Sequence, residues 1–220
     1  GIRDCLLSRG LGDVYKRQHH EDLKPLHVLA VISHPNKASF SHAVLKSFGG
    51  GVEEAGLSYD IADLYKEGFS PVLSERDLLQ FKGVEMPDDV LAYQARVEKA
   101  DALCLIFPTW WYGMPAMMKG WLDRVWSAGW AYDWKHDPEG SLLPPRPCTL
   151  LIPTGVSEKM ESEWRCVEKL TYIYRQGVLG YCGVDPIEIH FMLDAAEYGQ
   201  GHEKHLQTAL EAGKNILKNQ

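Results

Sequence analysis

The chain has 220 residues, of which 45% are hydrophobic and 24% charged, so it is long enough for one domain with a full core. Its formal net charge of -7 argues against a nucleic acid or an anionic membrane as partner, because both require a basic surface. No apolar run approaches the length of a membrane span, and the scattered cysteines form no C-x-x-C pair. We therefore expect a globular protein with reduced thiols, which suits the cytoplasm.

Residues 1–24 are rich in charge and show no clear amphipathic period. Within them, "LGDVYKRQ" (Leu11 to Gln18) resembles a translated sequencing-adaptor artefact. On that interpretation the native protein starts near His19, and nothing before that position carries function. A disordered tail is the alternative interpretation. We predict that residues 25–220 form a single domain.

Strand-like and helix-like segments alternate in the first half of this domain. "LHVLAVIS" (26–33) predicts a strand, the polar segment "HPNKAS" a loop, and a helix follows from Ser39. "LSYDIADL" (57–64) predicts a second strand, and "PDDVLAYQARVEKA" (87–100) predicts an amphipathic helix that begins with a proline and two acids. "DALCLIFP" (101–108) predicts a third strand, nearly all apolar as in a buried parallel sheet.

The second half continues the same alternation. "MPAMMKGWLDRVWSAG" predicts a helix with Pro115 near its first turn, and "PCTLLIPTG" predicts the fourth strand. "SEWRCVEKLTYIYRQGVLGYCG" predicts one long helix that Gly183 ends, before a fifth strand in "DPIEIHFM" and a last helix in "GHEKHLQTALEAGKNILKN". Five strands alternating with helices predict an α/β fold with a doubly wound parallel sheet.

The glycine-rich segment "GGGVEEAG" (49–56) has the composition of a nucleotide-binding loop. It does not follow a strand, so it fails the structural context of a dinucleotide fingerprint. Each glycine inside a helix costs about 1 kcal/mol relative to alanine. We therefore predict that the helix breaks or frays at these glycines, and we assign no function to them.

Ligands of open parallel sheets bind beyond the carboxyl ends of the strands, so the loops after the strands are the candidate site. The first loop, "SHPNKASFS", combines His34, Lys37, Ser39 and Ser41 with the start of a helix. Free backbone N–H groups and the helix dipole make such a point suitable for a phosphate. An ordinary N-cap by Ser39 is the alternative interpretation.

The second loop, "PTWWYGMP", places Trp110, Trp111 and Tyr112 directly after a buried strand. A flat conjugated ligand would stack on such aromatic rings or lie along them. The alternative is a hydrophobic corner of the core, which explains Trp121 and Trp126 on the following helix better than it explains the loop.

The third loop, "PTGVSEK", offers the hydroxyl of Thr154 and the backbone N–H of Gly155 to the polar edge of a planar ring. Taken together, a phosphate site, a surface for a planar ring and donors for the polar edge of that ring favour a flavin nucleotide as ligand.

The segments "SHPNKASFS" and "FPTWWYGMPAMMKGWLDRVW" resemble the flavodoxin-like NAD(P)H:quinone oxidoreductases, and the match covers most of the chain from Leu26 to about Gly155. The resemblance implies a flavodoxin-like sheet of strand order 2-1-3-4-5, a tightly bound flavin and a homodimer. The implied cofactor is FAD or FMN, with FAD preferred, and the implied reductant is NADPH or NADH.

The resemblance also implies roles for individual residues. The residues that would hold the phosphate end of the flavin are His34, Ser39, Phe40 and Ser41. Those that would line the isoalloxazine ring are Pro108, Thr109, Trp110, Trp111 and Tyr112, with the backbone of Trp111 and Tyr112 at the reactive edge as the catalytic contribution. Those that would meet the pyrimidine side of the ring are Thr154 and Gly155.

The segment "WAYDW" (130–134) is similar to the aromatic segment that forms a wall of the substrate site in relatives, often from the partner subunit. Tyr132 and Trp134 are the predicted substrate-binding residues, with surface or dimer packing as the alternative. No metal site is predicted, because His202 and His205 in "HEKH" are interpreted as solvated histidines on a helix.

The chain departs from the family after the third loop. Mammalian members have a tyrosine and a histidine there, proposed to handle charge on the reduced flavin, whereas counting places Glu161 and Val167 at those positions. That relay is therefore absent or supplied by other residues, which puts pH dependence and substrate choice in question.

Our hypothesis from the sequence is a cytoplasmic flavoenzyme that transfers hydride from NAD(P)H to quinones in a ping-pong reaction, with both substrates using one aromatic slot. Three alternatives remain open: a nitro or azo reductase at the same flavin, a one-electron carrier like flavodoxin, and a regulatory subunit of a potassium efflux system.

Overall fold

The computed structural model of the chain describes residues 26–133, 135, 141–195 and 202–218. The predicted tail at residues 1–24, its adaptor-like segment and the predicted substrate residue Trp134 lie outside the described residues. No helix within the described ranges is long and apolar enough to cross a membrane.

The five strands form one parallel sheet. They are β1 (His27–Ile32), β2 (Ser58–Asp63), β3 (Ala102–Ile106), β4 (Cys148–Pro153) and β5 (Ile187–Met192). Their order is β2-β1-β3-β4-β5, and every neighbouring pair is parallel. Strands β1, β3 and β4 are buried along their whole length, because apolar residues cover both faces of the sheet. The predicted α/β class and strand order are confirmed, and the topological switch point lies between β1 and β3.

Helices connect the strands and cover the sheet. They are α1 (Phe40–Glu54), α2 (Asp88–Lys99), α3 (Ala116–Val125), α4 (Glu158–Trp164), α5 (Cys166–Tyr172) and α6 (His202–Asn215). Shorter helical turns are the 3-10 segments Asp77–Lys82 and Gly180–Cys182 and the π-helical segment Ile173–Leu179. Ser39 and Pro87 precede α1 and α2 as N-caps, in agreement with the starts predicted from the sequence.

The prediction of one long helix after β4 is wrong. Arg165 has a left-handed backbone with φ of 51°, which separates α4 from α5. The carboxylate of Glu161 accepts a hydrogen bond of 2.9 Å from the N–H of Val167 and one of 2.8 Å from the thiol of Cys166, so it caps the second helix across the break. Gly183, with φ of 78°, ends the helical region as predicted.

The prediction that α1 breaks at its glycines is also wrong, because α1 continues to Glu54. A Cβ atom at Gly51 would lie 2.0 Å from the carbonyl oxygen of Leu210, and one at Gly213 would lie 2.2 Å from the carbonyl oxygen of Phe48. The glycines therefore allow the backbones of α1 and α6 to approach closely. The free energy gained from packing α1 against α6 offsets the low helix propensity of glycine.

A hydrophobic core lies on each face of the sheet. Trp121 is fully buried and Trp126 is 7% exposed, so these two tryptophans of the aromatic segment belong to the core, as the alternative interpretation held. Next to them, the buried guanidinium of Arg124 donates to the carboxylate of Asp77 at 3.1 Å and to that of Asp89 at 2.7 Å. The described cysteines are buried and free.

Candidate active site

A cavity of about 430 Å³ opens at the switch point, beyond the carboxyl ends of β1, β3 and β4. Every predicted cofactor-binding residue except Trp111 and Tyr112 lines it. These residues are His34, Ser39, Phe40, Ser41, Pro108, Thr109, Trp110, Thr154 and Gly155. The parallel pairing of β1, β3 and β4 explains this convergence, since it brings the ends of the three strands to one edge of the sheet.

The first turn of α1 forms one end of the cavity. The hydroxyl of Ser39 accepts a hydrogen bond of 3.4 Å from the N–H of His42, so Ser39 is an N-cap. The N–H groups of Phe40 and Ser41 have no partner inside the helix, because a helix leaves its first N–H groups unsatisfied. Within the fully described helix α1, no acidic residue occupies the first turn. An N-cap and an anion site are therefore compatible at this point.

Two histidines lie beside this turn, and only one of them was predicted. The Nδ1 atom of His34 is 3.1 Å from the N–H of Asn36, and its ring lies edge-on to that of His42 with a centroid distance of 6.4 Å. Burial lowers the pKa of His34, the hydrogen bond to Asn36 opposes that effect, and the nearby His42 adds to it. His34 is therefore mainly neutral at neutral pH. Lys37, the predicted source of positive charge, is exposed and does not line the cavity.

The aromatic loop after β3 is a tight two-residue turn. The N–H of Trp110 donates to the carbonyl of Gly113 at 3.0 Å, and the N–H of Gly113 donates back at 3.2 Å. Between them, Trp111 and Tyr112 have φ angles of 52° and 57°. A left-handed backbone costs about 1–3 kcal/mol for a residue other than glycine. The side chain of Trp111 is 96% exposed, which argues against the alternative of a core corner.

Trp111 and Tyr112 line a smaller cavity of about 180 Å³, together with Val156. This cavity adjoins the larger one, because Thr109, Thr154 and Gly155 line both. Within the described part of the chain, neither Trp111 nor Tyr112 has a hydrogen-bond acceptor for its backbone N–H. The turn therefore presents two aromatic side chains and two available donors at the same edge.

The loop after β4 is tied to the loop after β3. The hydroxyl of Thr109 donates a hydrogen bond of 2.6 Å to the hydroxyl of Thr154. The same oxygen of Thr154 accepts a hydrogen bond of 3.1 Å from the N–H of Val156. The N–H of Thr109 donates to the carbonyl of Pro153 at 2.9 Å. Gly155 follows this junction, and its N–H has no acceptor among the described residues. The arrangement offers another backbone donor to a polar edge of a ligand.

Tyr132 does not join these loops within one chain. It lines a separate cavity of about 470 Å³, which Gln80, Met86 and Trp130 also line. Its ring lies 5.5 Å from that of Tyr181, measured between centroids. Burial raises the pKa of Tyr132. Tyr132 therefore lines neither of the two cavities at the edge of the sheet.

His202 lies at the candidate site, although the sequence pattern predicts a solvated histidine with no role. Its ring stacks on Phe40 with a centroid distance of 4.2 Å and an interplanar angle of 17°, and it lines the larger cavity. Nearby, Nε2 of His205 lies 2.9 Å from the carbonyl of Leu193. No local pattern indicates these contacts, because they arise when α6 folds back onto α1. Among the described residues, no cluster of three or more His, Cys, Asp or Glu side chains could hold a metal ion.

Glu161 and Val167 do not reproduce a tyrosine–histidine relay. Burial tends to raise the pKa of Glu161, but hydrogen bonds from Cys166 and from backbone N–H groups outweigh it and lower the pKa. Glu161 therefore remains an anionic hydrogen-bond acceptor that holds the break between α4 and α5, and Val167 has no exchangeable side-chain proton. Its backbone N–H is used for the cap.

Comparisons with known proteins agree with this architecture. The model of the Flavodoxin_2 family, described as a flavodoxin-like fold, matches residues 26–217. A Haemophilus influenzae protein named as an uncharacterized NAD(P)H oxidoreductase is 30% identical over 167 residues, covering 76% of this chain and 83% of that protein. NAD(P)H dehydrogenase (quinone) 1 of Cavia porcellus is 29% identical over 213 residues, which cover 87% of this chain and 76% of that protein.

The solved NAD(P)H:quinone oxidoreductase of Methanothermobacter marburgensis superposes with a TM-score of 0.79 at 31% identity. That superposition covers 88% of this chain and 98% of that one. The resemblance noted in the sequence is thus confirmed over nearly all of the described residues. The chain belongs to the Flavodoxin_2 family, and its relatives include proteins named NAD(P)H:quinone oxidoreductases.

Proposed function

We propose that the chain is a flavin-dependent NAD(P)H oxidoreductase that reduces quinones in two-electron steps. The observation that carries this proposal is the strained, exposed aromatic turn at Trp111 and Tyr112, which shares one sheet edge with the start of α1. Backbone strain in an exposed loop has no benefit for stability and is typical of functional sites. The names of the relatives support the same chemistry.

The donors at the two ends of the larger cavity fit a flavin nucleotide. At one end, the N–H groups at the start of α1 and the hydroxyls of Ser39 and Ser41 would hold the phosphate, with His34 and Phe40 beside it. At the other end, the N–H of Gly155 and the loop at Thr154 would meet the pyrimidine side of the ring. FAD and FMN both meet these requirements, and FAD is the form that we propose.

The loop from Pro108 to Tyr112 would lie along the isoalloxazine ring. The N–H groups of Trp111 and Tyr112 would face its reactive edge, where fixed donors stabilise developing negative charge without reorganisation. When bound, the flavin would accept a hydride, which carries two electrons, from NAD(P)H and would then pass the two electrons to a quinone. The contribution of the protein is to hold each substrate in turn against one ring face.

The complete substrate site would be formed by a homodimer. Tyr132 lies in a separate cavity of its own chain, so a partner copy is needed to bring Tyr132 and Trp134 over the flavin. Exposed apolar side chains on the segment before α2 support such an interface, and two of them, Phe81 and Val84, line the same cavity as Tyr132. These exposed side chains are Val72, Leu73, Leu78, Phe81 and Val84. We propose the cytoplasm as the compartment.

The test is the visible absorption spectrum of the purified protein before and after anaerobic addition of NADPH or NADH, with the released cofactor identified by mass. We expect flavin bands that bleach fully and return when a quinone is added. Reduction that stops at one electron per flavin would favour the electron carrier. Return of the bands with azo or nitro compounds but not with quinones would favour the alternative reductase. A protein that takes up neither FAD nor FMN would exclude the proposal.

The remaining alternative, a regulatory subunit of a potassium efflux system, makes a different prediction for the same sample. Such a subunit would bind nucleotide, yet its flavin would turn over slowly with every quinone tested. Steady turnover with a quinone separates the enzyme from the sensor. Gel filtration of the same sample measures whether the protein is a dimer.

A further inference from the structure

Trp164 is the last residue of α4, and its ring lies against the aromatic turn. The centroids of Trp164 and Tyr112 are 5.8 Å apart, and their planes are inclined by 58°. Both side chains remain partly open to solvent, with exposed fractions of 47% for Trp164 and 40% for Tyr112. The two rings therefore form one aromatic surface beside the smaller cavity, which Tyr112 lines and Trp164 does not.

The core does not explain why α4 is present. None of its residues is buried, so the helix contributes little apolar area to folding. A large aromatic side chain that is held half exposed on such a helix is typical of a binding surface rather than of a structural contact. Its partner, Tyr112, is itself in a strained backbone conformation.

Several polar contacts hold α4 in this position. The hydroxyl of Ser157 caps the start of α4, because it accepts a hydrogen bond of 3.2 Å from the N–H of Met160. The carboxylate of Asp194 accepts a hydrogen bond of 3.2 Å from the N–H of Glu158. Asp194 and Arg165 both have left-handed backbones, with φ of 54° and 51°. Two more strained residues thus lie at the two ends of α4, and strain of this kind clusters at ligand sites.

We propose that Trp164 is an acceptor-binding residue that selects quinones with two or more fused rings. The inference rests on the proposed function, because it assumes that the acceptor occupies the slot beside Trp111 and Tyr112. A single quinone ring bound beside Tyr112 would fill the slot at the turn. A second fused ring that extends past Tyr112 would meet Trp164, whose ring centroid lies 5.8 Å from that of Tyr112, and this aromatic contact would add affinity.

The test compares the variants Trp164→Ala and Trp164→Phe with the flavin-loaded wild-type protein, using a naphthoquinone and a benzoquinone as acceptors. We expect Trp164→Ala to raise KM for the naphthoquinone by roughly twofold to twelvefold, the range that loss of one aromatic contact produces. KM for the benzoquinone should change by less than about twofold, and Trp164→Phe should restore most of the loss. The rate of flavin reduction by NADPH should stay unchanged in both variants.

Tyr172→Ala is the matched control, since Tyr172 is 71% exposed on the neighbouring helix α5 and, among the described residues, makes no ring contact with Tyr112. It should change neither KM. Equal changes for the two acceptors, no change for either, or loss of flavin in Trp164→Ala would overturn the proposal. Failure of the proposed function itself is distinguishable, because the wild-type protein would then bind no flavin or would not be bleached by NADPH.

Discussion

Thr109 and Thr154 lie in different loops, and a hydrogen bond of 2.6 Å joins their hydroxyl groups. Thr154 is 3% exposed and Thr109 is half-buried, so the bond is partly shielded from water. It connects the loop with the strained aromatic turn to the loop with the available N–H of Gly155. The two sides of the candidate ring site are therefore held at a fixed separation before any ligand arrives.

Replacement of Thr154 by valine tests this connection. The change removes the acceptor for the half-buried hydroxyl of Thr109 and for the buried N–H of Val156, and leaving the buried N–H unsatisfied costs about 1–3 kcal/mol. We expect a lower free energy of unfolding and weaker flavin binding, measured by urea unfolding and by flavin titration of the apoprotein. Thr208→Val is the control, because the hydroxyl of Thr208 bonds only to Lys204 in its own helix turn. Equal flavin affinity in both variants would show that the bond does not position the site.

Trp111→Asn and Trp111→Ala separate strain from recognition. Both variants remove the exposed ring, whereas asparagine tolerates a left-handed backbone better than alanine does. We expect the asparagine apoprotein to be more stable than the alanine apoprotein by about 1 kcal/mol, measured by thermal unfolding. Both variants should reduce quinone more slowly than the wild type. Full activity in either variant would contradict the role of the ring.

His34 makes a prediction about pH. Burial lowers its pKa in the folded apoprotein, so below about pH 6.5 the unfolded chain takes up a proton that the folded chain resists. The stability that the neutral form contributes is present above that pH and is lost as pH falls through the folded pKa. A bound phosphate favours protonated His34 and opposes this loss.

The stabilisation that FMN gives should therefore grow on acidification more in the wild type than in His34→Gln. Thermal unfolding with and without FMN at about pH 7.5 and about pH 6 measures the difference, on the two sides of the reference histidine pKa. Riboflavin, which has no phosphate, is the matched ligand control. A similar pH dependence with riboflavin would place the phosphate away from His34.

Gly51→Ala and Gly50→Ala form a matched pair on α1. The new methyl group at Gly51 would lie 2.0 Å from the carbonyl oxygen of Leu210, whereas the one at Gly50 would lie 3.7 Å from a flexible methyl group of the same residue. We expect Gly51→Ala to lower the free energy of unfolding by several kcal/mol, because overpacking forces the backbone to move. Gly50→Ala should leave the free energy of unfolding unchanged or raise it by up to about 1 kcal/mol. Urea unfolding distinguishes the two, and equal stability would exclude close helix packing as the reason for Gly51.

Asp77→Asn tests the buried ion pair with Arg124. Burial disfavours the charged form of Asp77, but hydrogen bonds from Arg124 and Ser74 outweigh burial and lower its pKa. The stability that this carboxylate contributes is therefore present above its unfolded pKa of about 3.9 and is lost as pH falls through the folded value. The variant should lose about 3 kcal/mol near neutral pH and less in acid.

Asp123→Asn is the control for that variant, because its pair with Lys119 is exposed on α3. Removing an exposed pair one helical turn apart costs about 0.5 kcal/mol at most. Urea unfolding at neutral and acidic pH measures both variants. If both lose the same small amount, the buried pair contributes nothing beyond a surface pair.

The elements themselves could be predicted because they depend on local pattern. Strands β1 and β3 are short apolar runs, followed by a polar loop and by a loop between Pro108 and Gly113, and Pro87 and Ser39 mark helix starts in the sequence. The three loops of the larger cavity could be predicted because parallel strands end at one edge. Phe40, Pro108 and Thr109 were assigned from the family resemblance, and His202 was not predicted. The prediction of one continuous helix after β4 was wrong. The carboxylate of Glu161 accepts hydrogen bonds that stabilise a helix break there, and the hydrophobic periodicity of the sequence does not indicate this break.

The sequence by itself determined the α/β class, the loops that make the site and the family to which the chain belongs, because these follow from hydrophobic period, turn residues and distinctive motifs. Only the tertiary structure decided that the glycines of α1 serve a helix contact, that His202 stacks on Phe40, and that Trp164 meets Tyr112. These contacts join residues that are far apart in the chain. Their geometry depends on how helices pack on the sheet, and a local pattern of residues does not encode that packing.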